Sequence, residues 1–235
     1  MATDIRADPR TEDLFMLSGI ATTVVPAFGR LTVTADPGAG FAPGSVIVAN
    51  HTSLADPAIV LAALHRLGVR PVVMATAGLW RIPALGRLLE REGHIPVHRG
   101  TRRAAEALDT ATAALDEGRL VLIYGEGRLP QRKDAAEAAP GPFRSGLSRL
   151  VRATGAGVIP LGQAGARRIV SGSRTKQLAG LATAPLRRPR LHVHVGARTQ
   201  VAGDMAAVTA HARQAVTRAW ETAARRQGEP LAGHA

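Results

Sequence analysis

The chain has 235 residues, 46% of them hydrophobic, which excludes a disordered polypeptide and fits one domain with a full core. It has no cysteine, so disulfides, a thiol nucleophile and cysteine-ligated metal are excluded. The formal net charge is +12, and because Lys133 and Lys176 are the only two lysines, 28 of the 30 basic residues are Arg; that charge favours anionic partners such as a lipid surface, coenzyme A phosphates, an acidic carrier protein or nucleic acid.

Residues 1–12 are polar and read as a disordered tail. Leu14 to Phe28 is apolar but broken by Ser18, Gly19, Thr22 and Thr23, and it is too short for the roughly 20 apolar residues of a membrane span. It lacks a basic region and a small-residue cleavage site, so it does not read as a signal peptide. It fits an interfacial helix or an N-terminal helix packed on the domain equally well. Leu31 to Thr34 reads as a first strand and Pro37 to Gly44 as a loop. Val46 to Ala49 is a short apolar run of the buried-strand kind, followed by a helix over Pro57 to Leu64. Arg70 to Thr76 reads as the next strand, Pro83 to Glu92 as a short helix, and 94–98 as a short strand. Thr101 to Glu117 carries a stripe of Ala104, Leu108, Ala111 and Leu115, with Gly118 as its stop. Strands follow at 119–124 and 157–162, with a loop over Gln131 to Pro142 and a helix over Phe143 to Thr154 between them. The loop could cover a site or be a surface excursion. Arg190 to Val195 reads as a late strand, and Asp204 to Arg226 as an amphipathic helix capped by Asp204. The alternation of strands and helices predicts an α/β fold with a mostly parallel sheet flanked by helices.

Three of these junctions carry polar residues suited to chemistry. Asn50-His51-Thr52-Ser53-Leu54-Ala55-Asp56 joins a strand to a helix, the place where an open α/β sheet puts its crevice. Histidine works as a base near neutral pH, and a carboxylate on its other ring nitrogen fixes the tautomer. Asp56-Pro57 is equally a good helix start, with Asp as cap and Pro at the first turn, so this segment alone leaves His51 open between a base and a polar loop residue. Gly93 to Gly100 places Arg99 just beyond a strand. Leu120 to Arg128 runs from a strand into a glycine-flanked loop with Glu126 and Arg128. If the strands are parallel, His51, Arg99, Glu126 and Arg128 gather on one edge, and the arginines offer forked donors suited to phosphate. In a chain this rich in Arg, a solvated surface charge is the competing account of each.

Together these segments resemble the glycerolipid acyltransferase family that includes 1-acyl-sn-glycerol-3-phosphate acyltransferases. Asn50, His51 and Asp56 match its N-H-x4-D block. Gly93, Ile95, Pro96, Val97 and Arg99 match a G-x-I-P-V-x-R block. Tyr124-Gly125-Glu126-Gly127-Arg128-Leu129-Pro130 stands where the family usually has F-P-E-G-T-R-S, and Val158-Ile159-Pro160-Leu161 matches a V-I-P-type strand. The third block lacks the family's Thr and carries its Arg one residue early, and Thr76 stands where the family often has Lys. The resemblance implies catalysis by His51 and Asp56, and substrate binding by Asn50, Ser53, Arg99, Glu126, Gly127, Arg128 and Pro160, with Asn50 also a helper at an oxyanion site. It implies acyl transfer from acyl-CoA or acyl-carrier protein to a lysophospholipid hydroxyl, most simply that of 1-acyl-sn-glycerol 3-phosphate. It implies no metal or redox cofactor, and a peripheral or monotopic protein on the anionic cytoplasmic face of the cell membrane. The expected division is a tail and interface helix over 1–28, an acyltransferase domain over 29–227 and a flexible tail over 228–235.

Competing readings keep the chemistry with glycerol 3-phosphate, a lyso-aminolipid or a specialised metabolite as acceptor, or make the chain a non-catalytic basic module on membrane or nucleic acid. Aromatic content of 3% leaves little to stack bases and disfavours single-stranded nucleic acid. There is no G-x-S-x-G nucleophile elbow and no phosphate-binding glycine loop of the P-loop or dinucleotide kind. His192 and His194 alternate along one strand, which reads as a polar strand face rather than a metal site.

Overall fold

The computed structural model describes residues 16–129 and 136–228; the tails expected at 1–12 and beyond 228, Pro130, and part of the loop expected from Gln131 fall outside them. One seven-stranded sheet in the order β1-β7-β6-β2-β5-β3-β4 organises the chain. Its strands are β1 (Arg30–Ala35), β2 (Val46–Ala49), β3 (Val72–Thr76), β4 (Ile95–Val97), β5 (Val121–Tyr124), β6 (Val158–Ala164) and β7 (Arg190–Val195). All neighbours pair parallel except β6 with β7, so the sheet is mixed and mostly parallel, as the strand-helix alternation predicts. Among the described residues the α-helices are α1 (Met16–Phe28), α2 (Asp56–Arg66), α3 (Pro83–Arg91), α4 (Ala104–Asp116), α5 (Ser145–Thr154), α6 (Arg174–Arg187) and α7 (Met205–Gln227).

The central strands read as unbroken apolar runs because helices cover both of their faces. Ile47, Ala49, Leu122, Ile159 and Leu161 point to one face, where Ile59, Val60 and Leu64 of α2 and Ala21 and Val25 of α1 pack. Val46, Val48, Val121 and Val158 point to the other, against α4, α5 and α7. Each fully buried Ile, Val or Leu contributes about 1.5–3 kcal/mol by leaving water. α7 lies so close to β6 that a β-carbon on Gly162 would fall 2.0 Å from the Trp220 nitrogen; only glycine admits that approach. Asp204 caps α7 by accepting from Ala207 N at 2.7 Å, as its sequence predicts.

Two strands run past the end of their neighbours, and side chains complete their ladders. Asn50, just beyond β2, donates from Nδ2 to Gln163 O at 3.0 Å and accepts from Gln163 N through Oδ1 at 2.8 Å. A primary amide has the donor and acceptor of a peptide unit, so it extends the β2–β6 pairing by one step. His94, just before β4, accepts from Val73 N at 3.0 Å. Each contact satisfies backbone groups that would otherwise be buried without a partner.

α1 packs one face on the domain and leaves the other exposed. Ser18, Ala21 and Val25 are buried, and Met16, Ile20 and Val24 are exposed. The Leu17 N–H donates to the Glu92 carboxylate at 2.7 Å, which places a negative charge at the helix N-terminus, the end where it is stabilising. Among the described residues no helix is long and apolar enough to cross a membrane. α6 is the element that periodicity does not forecast: of its 14 residues only Ala184 is buried.

Candidate active site

The parallel strands β2, β5, β3 and β4 end on one edge, and the loops that follow them carry His51, Glu126 and Arg99 there. At the β2–α2 turn His51 Nδ1 lies 2.9 Å from Asp56 Oδ2. The same oxygen accepts from Thr52 N at 2.5 Å and Ser53 N at 2.9 Å. Asp56 opens α2 with Pro57 next to it, so the helix start and the carboxylate site of the sequence are one residue serving both purposes. The Asp56 side chain is 0% exposed and that of His51 15%. Three donors and a helix N-terminus hold the carboxylate charge in the interior. A carboxylate accepts only, so in the neutral form of the ring Nδ1 carries the proton and Nε2 is the unprotonated nitrogen. Nε2 makes no hydrogen bond or ion pair within the described residues.

The imidazole rests on Tyr124 at the end of β5, with ring centroids 4.4 Å apart and planes tilted by 31°. Burial drives the Tyr124 phenol well above its ordinary pKa, and the Asp56 charge adds to the shift. Tyr124 therefore stays neutral beside the pair, and its face limits the rotation of the histidine.

Glu126 is buried and closes the site from the other side. Its Oε2 accepts from His51 N at 2.5 Å and its Oε1 from Gly141 N at 2.8 Å. Burial raises its pKa, while the two backbone donors and His51 act to lower it. This carboxylate ties the His51 backbone to the segment before α5, which Arg213 of α7 grips through the Pro140 and Gly141 carbonyls. The Phe143 ring lies against Gly125; a β-carbon there would meet that ring at 2.4 Å. Gly127 has φ +65°, a left-handed turn that glycine enters without strain.

The remaining candidates divide into three groups. Asn50 and Ser53 are buried. Asn50 is 0% exposed with both amide atoms engaged on Gln163. Ser53 is 3% exposed and donates to Val170 O at 2.7 Å. Pro160 lies inside β6 opposite Val48, its carbonyl accepting from Gly196 N. Arg99 and Arg128 are exposed at the same edge. Arg128 follows β5, beside β2, whereas Arg99 follows β4, three strands from β2, a lateral step of roughly 14 Å at ~4.8 Å per strand. Enough of the Arg99 guanidinium is covered to lower its pKa from the ordinary value by desolvation, and it remains a cation.

Two residues outside the sequence expectation complete the site. Gln163 is fully buried and donates to Thr52 Oγ1 at 3.1 Å, and Arg167 is buried and donates to Thr52 O at 3.0 Å. The signal for Gln163 was a polar side chain inside the apolar run of β6. Arg167 offered no signal among so many arginines.

This geometry can remove a proton from a hydroxyl presented to His51 Nε2 and stabilise the resulting imidazolium through Asp56. Among the described residues no group of histidines and carboxylates suits a metal ion. A protein-family model described as Acyltransferase matches residues 31–163, and no curated protein matches the chain. A solved structure, the 1-acyl-sn-glycerophosphate (LPA) acyltransferase PlsC from Thermotoga maritima, aligns with a TM-score of 0.67 at 16% identity, over 93% of this chain and 83% of that one. The likeness is one of fold: an α/β domain with a mixed seven-stranded sheet and an N-terminal helix.

Proposed function

The chain belongs to the acyltransferase family, and on that premise we propose that it moves a fatty acyl group from a thioester, acyl-CoA or acyl-carrier protein, to the hydroxyl of a lysophospholipid, with 1-acyl-sn-glycerol 3-phosphate as the acceptor. The observation that carries this reading is the His51–Asp56 pair at 2.9 Å with the second ring nitrogen unengaged. The acceptor hydroxyl gives its proton to His51 Nε2 as its oxygen attacks the thioester carbonyl. The C–S bond then breaks, and the imidazolium returns the proton to the leaving thiolate. The thioester is already activated, so no covalent enzyme intermediate is required. Asp56 stabilises the imidazolium, and Glu126 and Tyr124 fix the position of His51. Arg99 and Arg128 bind the acceptor phosphate. The exposed Met16, Ile20 and Val24 of α1 face a membrane surface, to which the net positive charge is attracted, and the protein works as a peripheral protein at the cytoplasmic face.

The experiment is thiol release from acyl-CoA and acyl-carrier protein with a panel of lyso acceptors, the products identified by mass spectrometry. Phosphatidic acid formed from 1-acyl-sn-glycerol 3-phosphate is the expected product. Transfer confined to a non-phosphorylated acceptor would overturn the acceptor and keep the chemistry. The altered third block, with Arg128 in place of the family's Thr, supports glycerol 3-phosphate, a lyso-aminolipid or a specialised metabolite as the second reading.

A further inference from the structure

The reaction edge of the sheet has two basic flanks. On one side of β2 lie Arg128 and Arg99, after β5 and β4. On the other side β6 runs into a short 3-10 turn, Ala166–Arg168, and then α6. There a cavity of about 440 Å³ is lined by Arg167, Arg168, Lys176 and Arg187, with Ser171 and Gly180 between them. Ala136 and Ile169 complete its described lining. Arg187 is held across the cavity wall by the Arg168 and Gly180 carbonyls, which fixes one cation in place. Lys176 stands in the first turn of α6, where the helix adds partial positive charge.

The floor of this cavity is bonded to the reaction loop at two points. Arg167 donates to Thr52 O at 3.0 Å, and Ser53 Oγ donates to Val170 O at 2.7 Å. The cavity therefore keeps a fixed relation to His51, one residue before Thr52. Acyl transfer from a coenzyme A thioester joins two substrates that both carry phosphate. The β5–β4 flank serves one of them, and the second needs cations on the opposite side of His51. A concave site with four cations suits a compact group bearing several phosphates; the surface of an acidic carrier protein would not enter it.

We propose that the cavity beside the β6–α6 junction binds the phosphate-bearing end of the acyl-coenzyme A donor. The inference rests on the acyl-transfer reading above, and its test separates the two. Arg168 and Lys176 are exposed, so Arg168→Ala with Lys176→Ala leaves the core and the Arg167–Thr52 bond in place. Calorimetric binding of coenzyme A to the full chain, without acceptor, reads the cavity alone. Michaelis constants for acyl-CoA and for the phosphate-free acyl-pantetheine read its use in the reaction. Losing a charge-assisted contact costs on the order of 10-fold, so the double variant weakens coenzyme A binding and raises the acyl-CoA Michaelis constant by about 10- to 100-fold, with turnover at saturation kept. It leaves acyl-pantetheine kinetics unchanged. An equal loss with both donors, a rise in the acceptor constant alone, unchanged acyl-CoA kinetics, or a parent protein that uses only acyl-carrier protein would each overturn the proposal. Coenzyme A binding that is lost in the variant while the parent transfers no acyl group would instead sink the acyl-transfer reading and leave the cavity assignment standing.

Discussion

Two buried histidine–carboxylate pairs among the described residues look alike in their distances and differ in what their rings can do. In His94–Glu92 the distance is 3.1 Å and both side chains are 2% exposed. In His51–Asp56 it is 2.9 Å with the histidine at 15%. The difference lies in the second ring nitrogen. His94 Nδ1 accepts from Val73 N, so both of its nitrogens are engaged and the ring is a strut between β3 and β4. His51 keeps Nε2 unengaged at the open edge of the sheet. A carboxylate beside a histidine therefore does not by itself mark a base; the proposed role of His51 also needs its second nitrogen unengaged and open to solvent.

His94→Ala tests the strut. It leaves Val73 N and part of the Glu92 carboxylate buried without a partner, at about 1–3 kcal/mol for each. Because Glu92 also receives Leu17 N, α1 should loosen as well. Denaturant unfolding should show the loss, while turnover per folded molecule stays near that of the parent. If His94→Ala unfolds normally and loses turnover, the assignment of the two pairs is reversed.

Arg99→Ala tests the edge on which the pair acts. Loss of a charge-assisted hydrogen bond to phosphate costs about 1.5–3 kcal/mol, or about 10- to 150-fold in the acceptor's Michaelis constant. Arg128→Ala should act in the same direction and less strongly, because Arg128 is displaced within its block. Initial rates over an acceptor series measure both, and native acceptor kinetics in both variants would leave the acceptor without a phosphate contact here.

Glu126→Gln sharpens the comparison further. The amide keeps the size but offers one acceptor oxygen in place of two, so either His51 N or Gly141 N loses its partner. Turnover should fall by about 5- to 10-fold, within the ~1–1.5 kcal/mol of an ordinary hydrogen bond, and donor and acceptor constants should move little. A change confined to the acceptor constant would make Glu126 a binding residue instead.

A third histidine cluster gives the smallest effect. Thr34 Oγ1 lies 2.9 Å from both His192 Nε2 and His194 Nδ1, and His194 reaches Asp36 at 3.1 Å. Burial, with Arg226 and His194 nearby, lowers the His192 pKa to about 4. Between the ordinary value near 6.5 and about 4 the unfolded chain binds a proton that the folded chain refuses, so stability falls as pH drops through that window and levels off below it. His192→Gln should flatten that part of the pH-stability curve. A slope that survives the substitution would place its source elsewhere.

The sequence carried the strands and the His51–Asp56 site because both depend on local order: short apolar runs, Asp204 before an amphipathic helix, and a histidine five residues before a helix-starting Asp. It did not carry the roles of Asn50, Gln163 and Arg167, whose partners lie more than 100 residues away. Asn50 reads as a motif residue beside a reacting histidine, and only the register of β2 against β6 shows it standing in for a peptide unit. α6 was illegible for another reason: a helix that buries one alanine needs no apolar stripe.

Turnover of His51→Ala at saturating acyl-CoA and acceptor, with folding checked by circular dichroism, tests the assignment of the base most directly. A general base contributes at least ~100-fold. The variant should therefore be folded and at least about 100-fold slower than the parent. A folded His51→Ala that turns over near the parent rate would contradict the account.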